Sequence, residues 1–350
     1  MRLSVLDQST VISGRSADAS IRESLALAKH AEACGYHRYW VAEHHNSDSI
    51  AGSAPEVLIA AIAATTARIR VGSAGVMLPH YSSLKVAEQF RVLEAIAPGR
   101  IDLGLGRAPG SDGLTAHALN PNSATAADHF PAQVRDLLAW LADEKLIERH
   151  PFRDIRAMPT GPTVPEVWML GSSDYGAQVA AYFGLPFCFA HFITEGRGCE
   201  EALEIYRQGY RPSARHPEPY SAVCVWALAA ETQEKAERLF SSRALARLWR
   251  DQGVFAPLPS PEEAAAHAYT EADHARLERL RARSLYGTPD VVAAKLRALG
   301  QELGVAEMAV LTTVHDSAAR RRSYTLLAQE FGLVAAEDVR GAHAAVAAAE

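Results

Sequence analysis

Cysteine is scarce in this 350-residue chain, with only Cys34, Cys188, Cys199 and Cys224. None stands in C-x-x-C spacing, so neither a zinc site nor a disulfide framework is indicated. Cys188 and Cys224 fall inside apolar runs and read as small core residues. Positive charge is not in excess either, since 35 Lys and Arg face 41 Asp and Glu for a formal net charge of -6. No Lys/Arg-rich block with interleaved aromatics occurs, which excludes a nucleic-acid footprint. A run of about 18 apolar residues, the length of a membrane span, is missing. The opening MRLSVLDQST has neither the basic start nor the apolar core of a secretion signal. A cytoplasmic globular protein is therefore expected, and with 48% apolar residues it can build a full hydrophobic core.

What is present is an alternation of short apolar runs with amphipathic stretches. Strands are predicted at about Leu3 to Leu6, Tyr39 to Ala42, Ile69 to Val76, Ile101 to Leu105, Glu166 to Leu170, Phe187 to Ala190, Ala222 to Ala229 and Met308 to Thr312. Helical patterns lie between them. SIRESLALAKHAEACG reads as a helix with Ser20 as N-cap, a Glu three residues on and Gly35 past its end. PEVLIAAIAATTA follows Ser53, and SSLKVAEQFRVLEAIAPG closes on a Pro-Gly stop. Eight strands in this rhythm favour a single (β/α)8 TIM barrel, although a doubly wound sheet shares the local pattern. The length exceeds a plain barrel of about 250 residues. The surplus falls in a polar loop after the fourth strand (110–128), in a helical, Pro-rich stretch between the seventh and eighth strands (231–289), and in an Ala-rich tail. One domain is drawn over 1–334, with the tail over 335–350 expected as a peripheral or frayed helix.

Polar groups gather where strands should stop, the ligand-binding end of parallel α/β folds. Glu43, His44 and His45 end the second strand. Alternation puts His44 on one face with Trp40 and Ala42, and Glu43 on the other with Val41 and His45. Adjacent histidines on one strand do not chelate one metal ion, and simple packing is the competing reading for the pair. GLGRAPG (104–110) lacks the glycine spacing of a dinucleotide fingerprint. Its glycines suit close backbone approach to a flat ligand, and Arg107 suits a phosphate, with a surface ion pair as the alternative. Gly171, Ser172 and Ser173 precede a helix whose N-terminus suits an anion, or is plainly capped. VGSAGVMLP (71–79) crowds small residues at the third strand's end, which makes either a flat slot or tight helix-on-strand packing.

In order, LSVLDQS, ACGYHRYWVAEHH, RIRVGSAGVMLPHYSSLKVAEQFRVLEAIAPGRIDLGLGRAPG, LGSSDYGAQVAAYFGLPFCFAHF and GTPDVVAAKLRAL resemble the bacterial luciferase-like family of flavin-dependent monooxygenases over most of residues 1–334. The resemblance implies a TIM barrel that holds FMN at the strand C-terminal face, commonly as a homodimer built on the helices after the second and third strands. Ala74 and Gly75 match a position where a non-proline cis peptide often sits behind the flavin. Arg107, Ser172, Ser173, Tyr175 and Gly176 match phosphate-binding positions, and His44 matches the histidine that faces the flavin. Ser172 stands where the luciferase catalytic subunit has a carboxylate, and Gly106 where it has a reactive cysteine. The resemblance thus does not extend to light emission.

The implied activity is a two-component monooxygenase. Reduced FMN, supplied by a separate NAD(P)H-dependent flavin reductase, reacts with O2 to a flavin hydroperoxide that oxidises a small, largely apolar substrate. Leu6, Trp40, His191 and Trp226, at strand ends, are candidates for the substrate pocket, with barrel packing as the alternative for each. The segment 253–284 is the candidate lid. Two other chemistries remain open on the same barrel: hydride transfer with the deazaflavin F420, and flavin binding without catalysis.

Overall fold

The computed structural model describes residues 1–333; the predicted tail over 335–350 lies outside the described residues. Nine strands form in chain order: β1 (Arg2–Asp7), β2 (Arg38–Val41), β3 (Arg70–Met77), β4 (Ile101–Gly106), β5 (Glu166–Gly171), β6 (Phe187–Phe189), β7 (Ser221–Ala229), β8 (Leu285–Gly287) and β9 (Glu307–Leu311). Their hydrogen-bonded order runs β6-β5-β4-β3-β2-β1-β9-β7, and β6 also pairs with β7. Eight parallel strands thus close on themselves with helices around them, a TIM barrel. Buried on both faces, such strands need continuous apolar runs rather than alternation. SAVCVWALA of β7, buried at every position, is the clearest case.

The eight predicted strands are all present, and β8 is an additional one. Leu285, Tyr286 and Gly287 pair with Ala227, Leu228 and Ala229 at the end of β7. Three residues are too few to carry a periodic signal. Two other expectations are corrected. The first helix spans Ala17–Ala33 with Ser16 at its N-cap. Ser20 lies inside it and donates to the Thr10 carbonyl at 2.9 Å, while Glu23 accepts from Arg321 rather than closing a capping box. The stretch 110–128 is not a loop but holds the helices Gly113–Leu119 and Ser123–Asp128. Asp112 caps the former by accepting from the Leu114 and Thr115 amides.

By contacts the chain divides into two compact units. Among the described residues the first comprises 1–39, 47–51 and 224–333. At its centre Asp7, fully buried, accepts from Arg320 at 2.8 Å, from the Tyr39 hydroxyl at 2.6 Å and from the Ser9 amide at 3.0 Å. Arg320 also donates to the Thr312 carbonyl at 2.8 Å. Burial works against the charged Asp7, but Arg320 and the hydrogen bonds hold its carboxyl below the usual carboxylate range. A second buried pair joins Arg38 to Glu307 at 3.0 Å. In the candidate lid, the helix Pro261–Ala266 carries a Ser260/Glu263 capping box. Leu258 is bridged to Ile12, and Glu263 accepts from Ser13 at 2.5 Å.

The second unit comprises 40–46 and 52–223. Near the strand N-termini, Arg70 donates to Asp102 at 2.9 Å and lies 3.3 Å from Glu166. Trp40 donates to the same Asp102 at 2.9 Å and meets Trp168 edge-on at 5.0 Å. At Gly72 and Gly104 a Cβ would run into the backbone of Asp102 and Ser73, so these glycines let β3 and β4 approach closely. A cavity of about 390 Å³ lined by Leu141, Leu146, Val167, Leu185 and His216 lies by the start of β5, away from the strand ends that carry polar groups.

Candidate active site

The strand C-termini of the second unit bring together most residues singled out from the sequence. β3 ends beside β4, with a register shift between Ser73 and Val76. Inside that shift the Ala74–Gly75 peptide bond is cis. A Cβ on Gly75 would lie 2.7 Å from the Gly104 carbonyl oxygen and 2.8 Å from a Leu170 methyl carbon, so only glycine fits. Ala74, Gly75, Gly104 and Gly106 keep the side chains near the ends of β3 and β4 small, with Met77 lying against Gly106.

Next along the sheet, β5 ends at Gly171, and Ser172 and Ser173 lead into the helix Asp174–Phe183. Ser173 occupies the N-cap with extended geometry, yet its side chain makes no capping hydrogen bond. A Cβ on Gly171 would lie 3.4 Å from the Gly176 Cα, so this glycine pair seats the helix start close against β5. Arg107, exposed just beyond β4, lays its guanidinium over the Tyr175 ring at 3.9 Å from the centroid. Arg107, Ser172 and Ser173 therefore stand by the positive end of a ten-residue helix, whose first turn also carries Asp174. This donor set suits a phosphate.

His44 follows the end of β2. Its amide donates to the Gly52 carbonyl at 2.8 Å, and its side chain is half-buried. β2 stops at Val41, so Glu43, His44 and His45 lie just past the strand rather than ending it, and there the His45 Nε2 lies 2.8 Å from a Glu43 carboxylate oxygen. Tyr81 donates to the same oxygen at 2.7 Å; burial first, and then the Glu43 charge, raise its phenol well above the ordinary value. Sequence reading passed over Tyr81 and His80. Their signal was the polar pair in PHYSS directly after the third strand.

The four pocket candidates divide between the units. In the first, Leu6 is buried in β1, and Trp226 donates to Thr313 at 2.9 Å while Arg243 stacks on its indole at 4.2 Å. In the second, the Trp40 contacts with Asp102 and Trp168 are those of barrel packing. His191 begins a short helix at the end of β6, where burial lowers its pKa against the pull of Glu195. A Cβ on Gly196 would come within 2.5 Å of its Nε2, so the bare backbone makes room for the ring. Among the described residues no cluster of His, Cys, Asp or Glu could hold a metal ion, and no helix is long and apolar enough to cross a membrane.

A closed, parallel eight-stranded barrel with polar groups at its strand C-terminal ends defines the class, a TIM-barrel α/β protein. Comparison with known proteins narrows it: the profile of the luciferase-like monooxygenases matches residues 1–307, and the chain belongs to that family. It is 38% identical over 330 residues to the N-acetyl-S-alkylcysteine monooxygenase of Bacillus subtilis, covering 93% of this chain and 97% of that one. The solved structure of apo-MsnO8 superposes with a TM-score of 0.86 at 36% identity, covering 95% and 99% of the two chains. More distantly, the oxygenating constituent of 3,6-diketocamphane monooxygenase from Pseudomonas putida, in complex with FMN, shares the fold with a TM-score of 0.69 at 21% identity, over 94% and 97% of the chains. The chain is thus a luciferase-like monooxygenase by family, and an enzyme.

Proposed function

We propose that the protein uses reduced FMN and O2 to oxygenate a small organic substrate, and that a separate NAD(P)H-dependent flavin reductase supplies the reduced cofactor. The convergence of Arg107, Ser172, Ser173, Tyr175 and the start of helix Asp174–Phe183 carries this reading, because it matches the phosphate of a mononucleotide. Arg107 and Ser172 hold the phosphate by charge and hydroxyl, Ser173 and the first free amides of the helix add neutral donors, and Gly176 keeps that helix against β5. Ala74 and Gly75, with no bulky side chain, give the flat ring a surface to lie on. When bound, reduced FMN supplies two electrons, so that one atom of O2 passes to substrate and the other leaves as water.

His44 moves a proton at its imidazole during oxygen transfer, a role worth about 10² to 10⁴ in rate. His191, neutral because burial disfavours its charged form, faces the substrate from the end of β6. The relative that acts on an N-acetyl-S-alkylcysteine makes thioethers the first substrates to screen. The working form is a homodimer built on the helices Pro55–Thr65 and Ser83–Ile96, whose exposed Val57, Val92 and Ile96 supply an apolar face.

The test is an anaerobic titration with FMN and, separately, with F420, followed by mixing of the reduced holoprotein with labelled O2 and a thioether. Tight FMN binding and one labelled oxygen in the product are expected. His44→Ala should cut product formation about a hundredfold or more and leave FMN affinity nearly unchanged. Preference for F420 with turnover that needs no O2 would replace this reading with hydride transfer, and retention of FMN without turnover would leave only flavin binding.

A further inference from the structure

The end of β2 holds a buried carboxylate that the proposed chemistry does not use. Glu43 is fully buried, and donors from two separate segments converge on it. The Met77 amide donates to Oε2 at 3.1 Å, and Tyr81 and the His45 Nε2 donate to Oε1 at 2.7 and 2.8 Å. A carboxylate removed from water requires such donors. Here every donor belongs to a strand end of the site, either that of β2 itself or that of β3.

The brace extends to β4. The His45 amide donates to the Gly110 carbonyl at 3.1 Å, and the His80 Nε2 donates to that of Pro109 at 2.7 Å. Gly110 has φ +60, and a Cβ there would lie 3.1 Å from the Glu43 carbonyl oxygen. The Glu43 carboxylate thereby joins segments 43–45 and 77–81, and each of these is tied in turn to 109–110, by the His45 amide and the His80 ring. Within the first segment His44 is enclosed by two residues bonded to each other on one side of the chain. The Glu43–His45 bond therefore fixes the backbone that carries its imidazole.

We propose that Glu43 is a positioning residue: by gripping His45 and the turn from Met77 to Tyr81, it fixes the direction in which His44 presents its imidazole and ties that direction to the end of β3. This rests on the proposed role of His44, and the test separates the two. Glu43→Gln keeps the shape but turns an amide toward a donor, so at least one of the three bonds is lost. His45→Ala, at a half-buried position, releases the same grip with a smaller burden on folding.

Imidazole nitrogen NMR of the full chain reads the result without any cofactor. Both variants are expected to shift the His44 ring signals, and Glu43→Gln also to alter the His45 Nε2–H signal. With reduced FMN as the probe, reoxidation by O2 should change about tenfold in Glu43→Gln, and the Glu43→Gln/His44→Ala double variant should be no worse than His44→Ala alone, as for residues acting as one unit. Unmoved His44 signals in either variant, or losses that multiply in the double variant, would overturn the proposal. If His44→Ala leaves reoxidation as it is in the native protein while Glu43→Gln still moves the His44 signals, positioning by Glu43 stands and the proton-moving role of His44 falls.

Discussion

Gly104 shows how narrowly single positions are specified at this site. A Cβ there meets the Ser73 backbone carbonyl, which cannot move aside, as well as a Leu170 methyl carbon. Gly113, in the first turn of helix Gly113–Leu119, has nothing within 4 Å of the same added atom. Gly104→Ala is therefore expected to destabilise by about 1–3 kcal/mol through overpacking. Gly113→Ala should be neutral or stabilising by about 0.4–1 kcal/mol, through the lower entropy of the unfolded chain. Urea unfolding midpoints of the two variants against the parent check both, and equal midpoints would show that β3 can yield. At this scale the sequence was informative about residue type and silent about partners. Arg107 suited a phosphate and Tyr175 matched a phosphate-binding position through the family resemblance, but their stacking needs two separate strand ends to meet. The grip of Glu43 on the Met77 amide likewise spans 34 residues, and no local pattern encodes it.

Among elements, β1 and the helix Ser317–Glu330 are joined by the Asp7–Arg320 pair. Arg320→Met would leave a fully buried carboxylate without its cation, and a loss of about 3–5 kcal/mol is expected. Adding Asp7→Asn should restore part of it. The pH dependence follows from the depressed Asp7 pKa. With the folded value below the unfolded value of about 3.9, the contribution is complete above the ordinary carboxylate range and drains away as the solution is acidified through and below it. Denaturant titrations across that range should show the parent losing stability on acidification more steeply than the Asp7→Asn/Arg320→Met variant; parallel curves would count against the pair. Element boundaries follow the same division between local and distant causes. Buried parallel strands read as apolar runs because both faces need them, so eight strands were visible. β8 exists only because the end of β7 offers it a register, and the first helix starts at Ala17, which leaves Ser20 inside it to bond the distant Thr10 carbonyl rather than to cap.

For the whole molecule, the barrel closure and the family were legible in the order of motifs, whereas assembly was not. The helices Pro55–Thr65 and Ser83–Ile96 touch each other, with Gln89 donating to Glu56 at 3.4 Å, and expose Val57 at 67%, Val92 at 47% and Ile96 at 50%. Single exposed apolar residues are ordinary, but a cluster on two adjacent helices suits burial against a second copy. Val57→Lys combined with Ile96→Lys is expected to shift sedimentation from dimer to monomer while leaving the thermal melt of the monomer cooperative. A parent that sediments as a monomer at all concentrations would remove this face as an interface.

The partnership of Asp7 with Arg320 also sets an order of events during synthesis. The two residues are 313 positions apart, and the other neighbour of β1, β9, also comes from the far end of the sequence. A ribosome therefore releases β1 with one ladder unpaired and an anion lacking its cation until nearly all of the chain has emerged. Over that interval the first strand is an exposed edge awaiting a partner, and the time taken to translate the segment between them is the time for which that edge stays open.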